Sequence, residues 1–169
     1  MSNIAALHKK EDFEESVVLC YRTDYSDDTK WKRLLELADD PNVGWKGRHS
    51  HNERCACDYL KGTDFMLVIE GRQYENMTIQ ELQPISQYTY VIADKQSMED
   101  ETFMVVHNDF VWEENEETGK YKCIGTVLKS GRYPASEIWI PAANFPNGRT
   151  WDELMPYHPI FPKAMSHNS

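Results

Sequence analysis

Ser16-Val17-Val18-Leu19-Cys20-Tyr21, running directly into Arg22-Thr23-Asp24-Tyr25-Ser26-Asp27-Asp28, is the stretch on which the fold turns. Val17 to Tyr21 is apolar without a break. A strand with one wet face alternates polar and apolar side chains. A continuous run with β-branched members is instead a strand covered on both sides, the pattern of parallel sheets sandwiched by helices. The acidic turn that follows supplies a helix start: Ser26 or Asp27 can cap it, and the neighbouring acids suit its positive end. Trp31, Leu34, Leu35 and Ala38 then recur at helical spacing, and Asp39-Asp40-Pro41-Asn42 ends the helix.

Working outward, the same alternation returns. Phe65-Met66-Leu67-Val68-Ile69 reads as a second covered strand. Thr78-Ile79-Gln80-Glu81 is a capping box, with Ile79, Leu82 and Ile85 on one helix face. Tyr88 to Ala93 is a third strand ending at Asp94, and Phe103 to Val106 a fourth ending at His107-Asn108-Asp109. The order predicts an α/β fold, a mostly parallel sheet of about four strands with short flanking helices. A C-terminal antiparallel hairpin follows: Val111-Trp112 and Tyr121 to Leu128 flank the acidic turn Glu113 to Gly119. Glu137-Ile138-Trp139-Ile140 reads as a further edge strand stopped by Pro141, and Thr150-Trp151-Asp152-Glu153 as a second capping box. The expected organisation is a flexible segment over 1–14, a single domain over 15–157 with a polar insertion at 42–63, and an extended, proline-punctuated tail over 158–169.

The sequence has 169 residues, enough for one domain with a substantial core. Its net charge of -10 repels phosphate backbones, so nucleic acid is not an expected partner. No run approaches the ~20 apolar residues a membrane helix needs, and the N-terminus lacks a signal-peptide core. A cytoplasmic location is expected, with the four cysteines as thiols or metal ligands.

Arg22-Thr23-Asp24-Tyr25-Ser26-Asp27-Asp28 followed by Trp31 resembles the opening of a family of small uncharacterised bacterial domains, which read Arg-Thr-Asp-aromatic-Ser-Asp-Asp before a Trp-containing helix. Thr78 to Leu82, the strand end Val91 to Asp94, and Arg132, Pro134, Glu137, Trp139 and Ala143-Asn144 keep the resemblance in order. The insertion at 42–63 and the long acidic hairpin depart from it. The resemblance implies a fold and no activity.

Three groups of residues could carry chemistry. Asp24, Glu70, Asp94 and Asp109 each follow a predicted strand, and ligands of parallel sheets bind at those ends. Together they could hold Mg²⁺ or divide into an acid and a base, with Arg22 and Lys95 positioning an anion and His107 as a base. The same residues also suit turns and helix caps. His49, His51, Cys55 and Cys57 offer zinc donors, but each pair has a single intervening residue where zinc sites usually have two to four. Trp112, Tyr121, Tyr133, Trp139, Phe145 and Trp151 are either pocket walls or core. No cofactor loop or nucleophile motif is present, and no cofactor is predicted; zinc or magnesium at these sites are the only candidates. Two functions follow: a binding or interaction module that uses the acidic rim and the 42–63 loop on a protein partner, or a small enzyme on an organic molecule with Asp24 and Asp94 as acid and base. In either case Arg22, Glu70, Lys95, Asp109, Trp112 and Trp139 are the expected binding residues.

Overall fold

The computed structural model describes residues 7–9, 18–39 and 62–155. Among these residues five strands form one sheet: β1 (Val18–Arg22), β2 (Met66–Ile69), β3 (Thr89–Ala93), β4 (Thr102–Glu114) and β5 (Tyr121–Pro134), in the order β2-β1-β3-β4-β5. β1 lies between β2 and β3 and pairs with both in parallel. All five of its residues are buried, as the unbroken apolar run requires. Among the described residues five helices accompany the sheet: α1 (Asp28–Ala38), α2 (Ile79–Leu82), α3 (Lys95–Asp100), α4 (Trp139–Asn144) and α5 (Trp151–Leu154).

The mostly parallel, four-stranded sheet is not what forms. β4 runs antiparallel to β3, β5 runs antiparallel to β4, and the resulting mixed sheet has five strands with antiparallel pairing predominant. The cause lies between Ala93 and Thr102. A parallel return needs a crossover of a dozen residues or more. Here α3 spans only six residues, rising about 9 Å, and Glu101 then turns the chain in the left-handed region at φ 59°. The chain reverses beside β3 instead of crossing back over the sheet. The predicted fourth strand and the first arm of the hairpin are consequently one element, β4, which β5 follows back through thirteen paired positions with a bulge at Val111/Trp112.

Glu137 to Ile140 is also not a strand. A 3₁₀ turn over Ala135–Glu137 leads into α4. Pro141 falls in the first turn of α4, where its missing N–H costs nothing. Ile138, Ala142 and Phe145, spaced four and three apart, all point into the core.

Apolar residues fill both faces of the sheet. On one face α1, α3, α4 and α5 cover Val18, Cys20, Val91, Phe103, Val105 and Tyr133 with Trp31, Leu34, Met98, Ile138 and Phe145. On the other, α2 and its flanking 3₁₀ turns cover Leu19, Tyr21, Tyr90, Ile92 and Val106 with Tyr74 and Leu82. Each fully buried large side chain contributes about 1.5–3 kcal/mol. Burial drives the Cys20 thiol up to about 12, so it is inert filler in β1. His8, in the N-terminal segment, sits on the second face, where its Nε2 is 2.8 Å from the Tyr21 hydroxyl and its Nδ1 2.9 Å from that of Tyr74. No helix among the described residues is long and apolar enough to cross a membrane.

Candidate functional site

The acidic turn after β1 is chiefly architectural. The Arg22 side chain is buried, and it donates from Nη2 to Asp28 at 2.6 Å, from Nη1 to Glu70 at 3.2 Å and from Nε to the Asp24 carbonyl at 2.9 Å. Its guanidinium lies 4.3 Å from the Tyr25 ring centre and 5.1 Å from that of Trp31. Burial works against its charge, but Asp28 and Glu70 outweigh it and the guanidinium is held more firmly charged than usual. Thr23 donates its N–H to the Ala93 carbonyl, closing the crevice between β1 and β3, and its own carbonyl accepts from Asn76. Tyr25 accepts from the Gly71 N–H through its hydroxyl. Asp27 caps α1 by accepting from Lys30 N–H. Nearly every position from Arg22 to Asp28 thus fastens the exit of β1 to α1, β2 or β3.

Asp94 has a comparable part. It caps α3, and Arg132 on β5 grips it through both oxygens at 2.8 and 2.5 Å. Burial would raise its pKa, but Arg132 and the Ser97 N–H more than compensate and hold it below the ordinary carboxylate range. Asp24 accepts from the Ser26 hydroxyl at 2.9 and 3.0 Å. Lys95 is exposed at the start of α3. Glu70, Asp24 and Asp94 therefore lie at one end of the sheet.

His107 and Asp109 lie at the other end, because β4 runs antiparallel: His107 pairs with Thr89, the first residue of β3. His107 Nε2 is 2.8 Å from Asp109 and Nδ1 is 2.8 Å from the Thr89 hydroxyl. A nitrogen facing a carboxylate carries the proton, so Nε2–H donates to Asp109 and Nδ1 accepts from the Thr89 O–H. Burial lowers the His107 pKa and Asp109 opposes that only in part, so the ring is held neutral more strongly than a free histidine. Phe145 stacks on it at 4.1 Å. Asp109 also accepts from Lys129 Nζ at 3.0 Å and from the Trp151 N–H at 3.3 Å. Both ring nitrogens are engaged, so this Thr-His-Asp line holds α5 and β5 to the sheet and leaves no basic nitrogen open to a substrate.

These residues form the floor of a cleft of about 490 Å³ between the base of the β4–β5 hairpin and the chain around α5. Val111, Val127 and Phe145 give it apolar walls, with the strand at Phe110 and Trp112 along its border; Lys129, Arg149, Thr150 and Asp152 give it polar ones. Trp112 borders the cleft on a strand position that faces away from His107 and Asp109, while Trp139 is buried in α4 against the core. Lys129 has no local sequence signal. It reaches the site only because the hairpin register sets it opposite His107.

Beyond the His107–Thr89 pair the hairpin continues as a two-stranded ribbon. β4 there has seven more residues, Asn108 to Glu114, reaching roughly 24 Å. By alternation Phe110, Trp112, Tyr121 and Leu128 share one face, opposite the one that bears His107, Asp109 and Lys129. Tyr88 packs against Phe110 at 5.2 Å, and Phe110 lies 6.2 Å from Trp112. Six of the nine exposed large hydrophobic side chains among the described residues sit on this ribbon.

Among the described residues no group of three or more His, Cys, Asp or Glu side chains is placed to hold a metal ion. His49, His51, Cys55 and Cys57, the zinc candidates, lie outside the described residues. The chain belongs to the family of a domain of unknown function (DUF6924), whose model matches residues 17–155. No curated protein and no solved structure matches the chain.

Proposed function

We propose that this domain is an interaction module and that it grips a partner protein with the outer face of the β4–β5 ribbon. One observation carries the reading: Phe110, Trp112, Tyr121 and Leu128 form a single apolar face, each of them 46–65% exposed, on an element with no covering layer among the described residues. Single exposed hydrophobics are ordinary, whereas a contiguous aromatic patch marks a surface that something covers. Trp and Tyr are also the residues that most often anchor protein interfaces. Among the described residues the ribbon also has two unpaired edges: β3 stops at Thr89 beside β4, and β5 is the last strand of the sheet. Edges of this kind pair readily with another chain.

Charge selects the partner. The tip of the ribbon, strand ends and turn together, carries Glu113, Glu114, Glu116 and Glu117 against Lys120 and Lys122, in a chain of net charge -10. A second copy would bring like charges together. The surface fits a protein with an apolar groove bordered by Lys and Arg, and such charges would hasten its association.

The test replaces Thr126, on the aromatic face, with a photo-crosslinking benzophenone residue and illuminates the source cells, with Lys32 on α1 as the control position. One dominant protein adduct at residue 126 and not at 32 is expected. The purified partner should lose about tenfold or more in affinity to a Trp112→Ala chain and bind more weakly in high salt. An adduct with a second copy alone, the same adducts at both positions, or an interaction indifferent to Trp112→Ala would refute the reading.

A further inference from the structure

The cleft on the ribbon's other face has features of its own that the interaction reading does not use. Its volume, about 490 Å³, falls in the range of sites that enclose a small organic molecule. Most of its wall is apolar: Val111 and the exposed Val127 line it above Phe145, which is itself buried between the His107 ring at 4.1 Å and the Trp151 ring at 6.2 Å. Such a wall suits an apolar body.

Two cations stand at the rim. Lys129 Nζ has three N–H donors; it gives one to Asp109 at 3.0 Å, and Asp152 stands beyond hydrogen-bond length at 3.9 Å. Asp109 beneath it holds Lys129 more firmly protonated. Arg149 lines the same cleft, and among the described residues its one ion pair runs from Nη1 to Glu153 at 2.9 Å. The nearby negative charges do not cancel this. Asp109 is surrounded by three donors, from His107, Lys129 and Trp151. Asp152 is mostly in water and holds Lys129 only at long range.

We propose that the cleft binds an aromatic carboxylate, with its ring against Val111 and Val127 and its carboxylate taken by Lys129 and Arg149 in place of Asp152. No covalent step is involved. The exchange replaces a long, exposed ion pair with a direct charge-assisted hydrogen bond beside an apolar wall, where such bonds are stronger.

Naphthoate and its uncharged amide are the probes, titrated calorimetrically into the full chain. The acid should bind one to one and at least about tenfold tighter than the amide. Lys129→Met should remove that preference, and Arg149→Gln, at an exposed position, should reduce it without altering the melting temperature. Asp152→Asn should tighten the acid by a factor of about three and leave the amide unchanged, because it removes the competing carboxylate. Equal affinities for acid and amide, no binding at millimolar probe, or an acid preference that survives both Lys129→Met and Arg149→Gln would overturn the proposal. Should Lys129→Met fail to fold, Arg149→Gln and Asp152→Asn decide it alone. Trp112→Ala partner binding is a separate readout, so either proposal can fail without the other.

Discussion

Replacing Arg22 with Met tests whether the acidic turn after β1 is architecture or a binding rim. Methionine keeps the apolar stem in place among Tyr25 and Trp31 and removes only the guanidinium. Two losses follow. The bond from Nε to the Asp24 carbonyl is charge-assisted, and bonds of that class are worth about 1.5–3 kcal/mol. The stacking on Tyr25 and Trp31 adds about 0.5–2 kcal/mol at a site this sheltered. Asp28 and Glu70 are themselves well exposed and recover water when the cation leaves, so their ion pairs add little. The sum is about 2–5 kcal/mol, which for a chain of this size lowers the melting temperature by about 6–14 °C. Urea unfolding followed by circular dichroism should show a lower midpoint with an unchanged slope, since the surface exposed on unfolding stays the same. Asp28→Asn, which leaves the buried guanidinium and its stacking untouched, should have a far smaller effect. If Arg22→Met unfolds within about 0.5 kcal/mol of the parent chain, the range of an ordinary surface change, the turn does not hold the fold together and its charges are free for a ligand.

Two further outcomes follow from the packing. Burial depresses the His107 pKa below its unfolded value of about 6.5, so below that pH the unfolded chain binds more protons than the folded one. Stability should be full above about pH 6.5 and decline as the pH falls through the folded value. Asp109 and Lys129, the titratable groups facing the ring, keep their charge through that window, and a His107→Gln chain should show a flatter urea midpoint between about pH 7.5 and 5. Separately, a methyl added at Gly62 would run into the backbone carbonyl of Ala38 and the side chain of Ile138. Gly62→Ala should therefore cost about 1–3 kcal/mol, read as a lower thermal midpoint; an unchanged midpoint would mean that the end of α1 and the approach to β2 shift at no cost.

The elements that could be read from the sequence are those whose signals are local. The buried run of β1, the cap at Asp27, the helix face of Trp31, Leu34 and Ala38, and the box at Thr78 and Glu81 each depend on neighbours a few residues apart. Strand direction is not local. Continuous apolar runs say that β3 and β4 are covered, not how they run, and the deciding fact was the brevity of α3 together with a left-handed Glu101. Trp139 and Ile140 were ambiguous for a related reason, since a short apolar run ahead of a proline fits a strand end and a first helical turn equally well. The acids that seemed to share a rim were divided once β4 reversed, and Lys129 entered the site through a pairing that spans the whole hairpin.

That division explains why the two ends of the sheet differ in what they leave available. At the end where β1 and β3 stop, the anions are engaged: Asp28 and Glu70 share Arg22, Asp94 takes both arms of Arg132, Asp27 caps α1, and Asp24 accepts from the Ser26 hydroxyl. Charges spent in this way are costly to withdraw, because the buried partner would be left alone. At the opposite end β4 and β5 run past the last residue of β3 that could pair with them, and they carry tryptophan, tyrosine, phenylalanine and leucine into water on one face and a lined cleft on the other. A domain stable through its first end has no structural need of an aromatic ribbon at its second. The solvent cost of that ribbon is recovered only when another surface covers it, and that is the physical ground for seeking the function there.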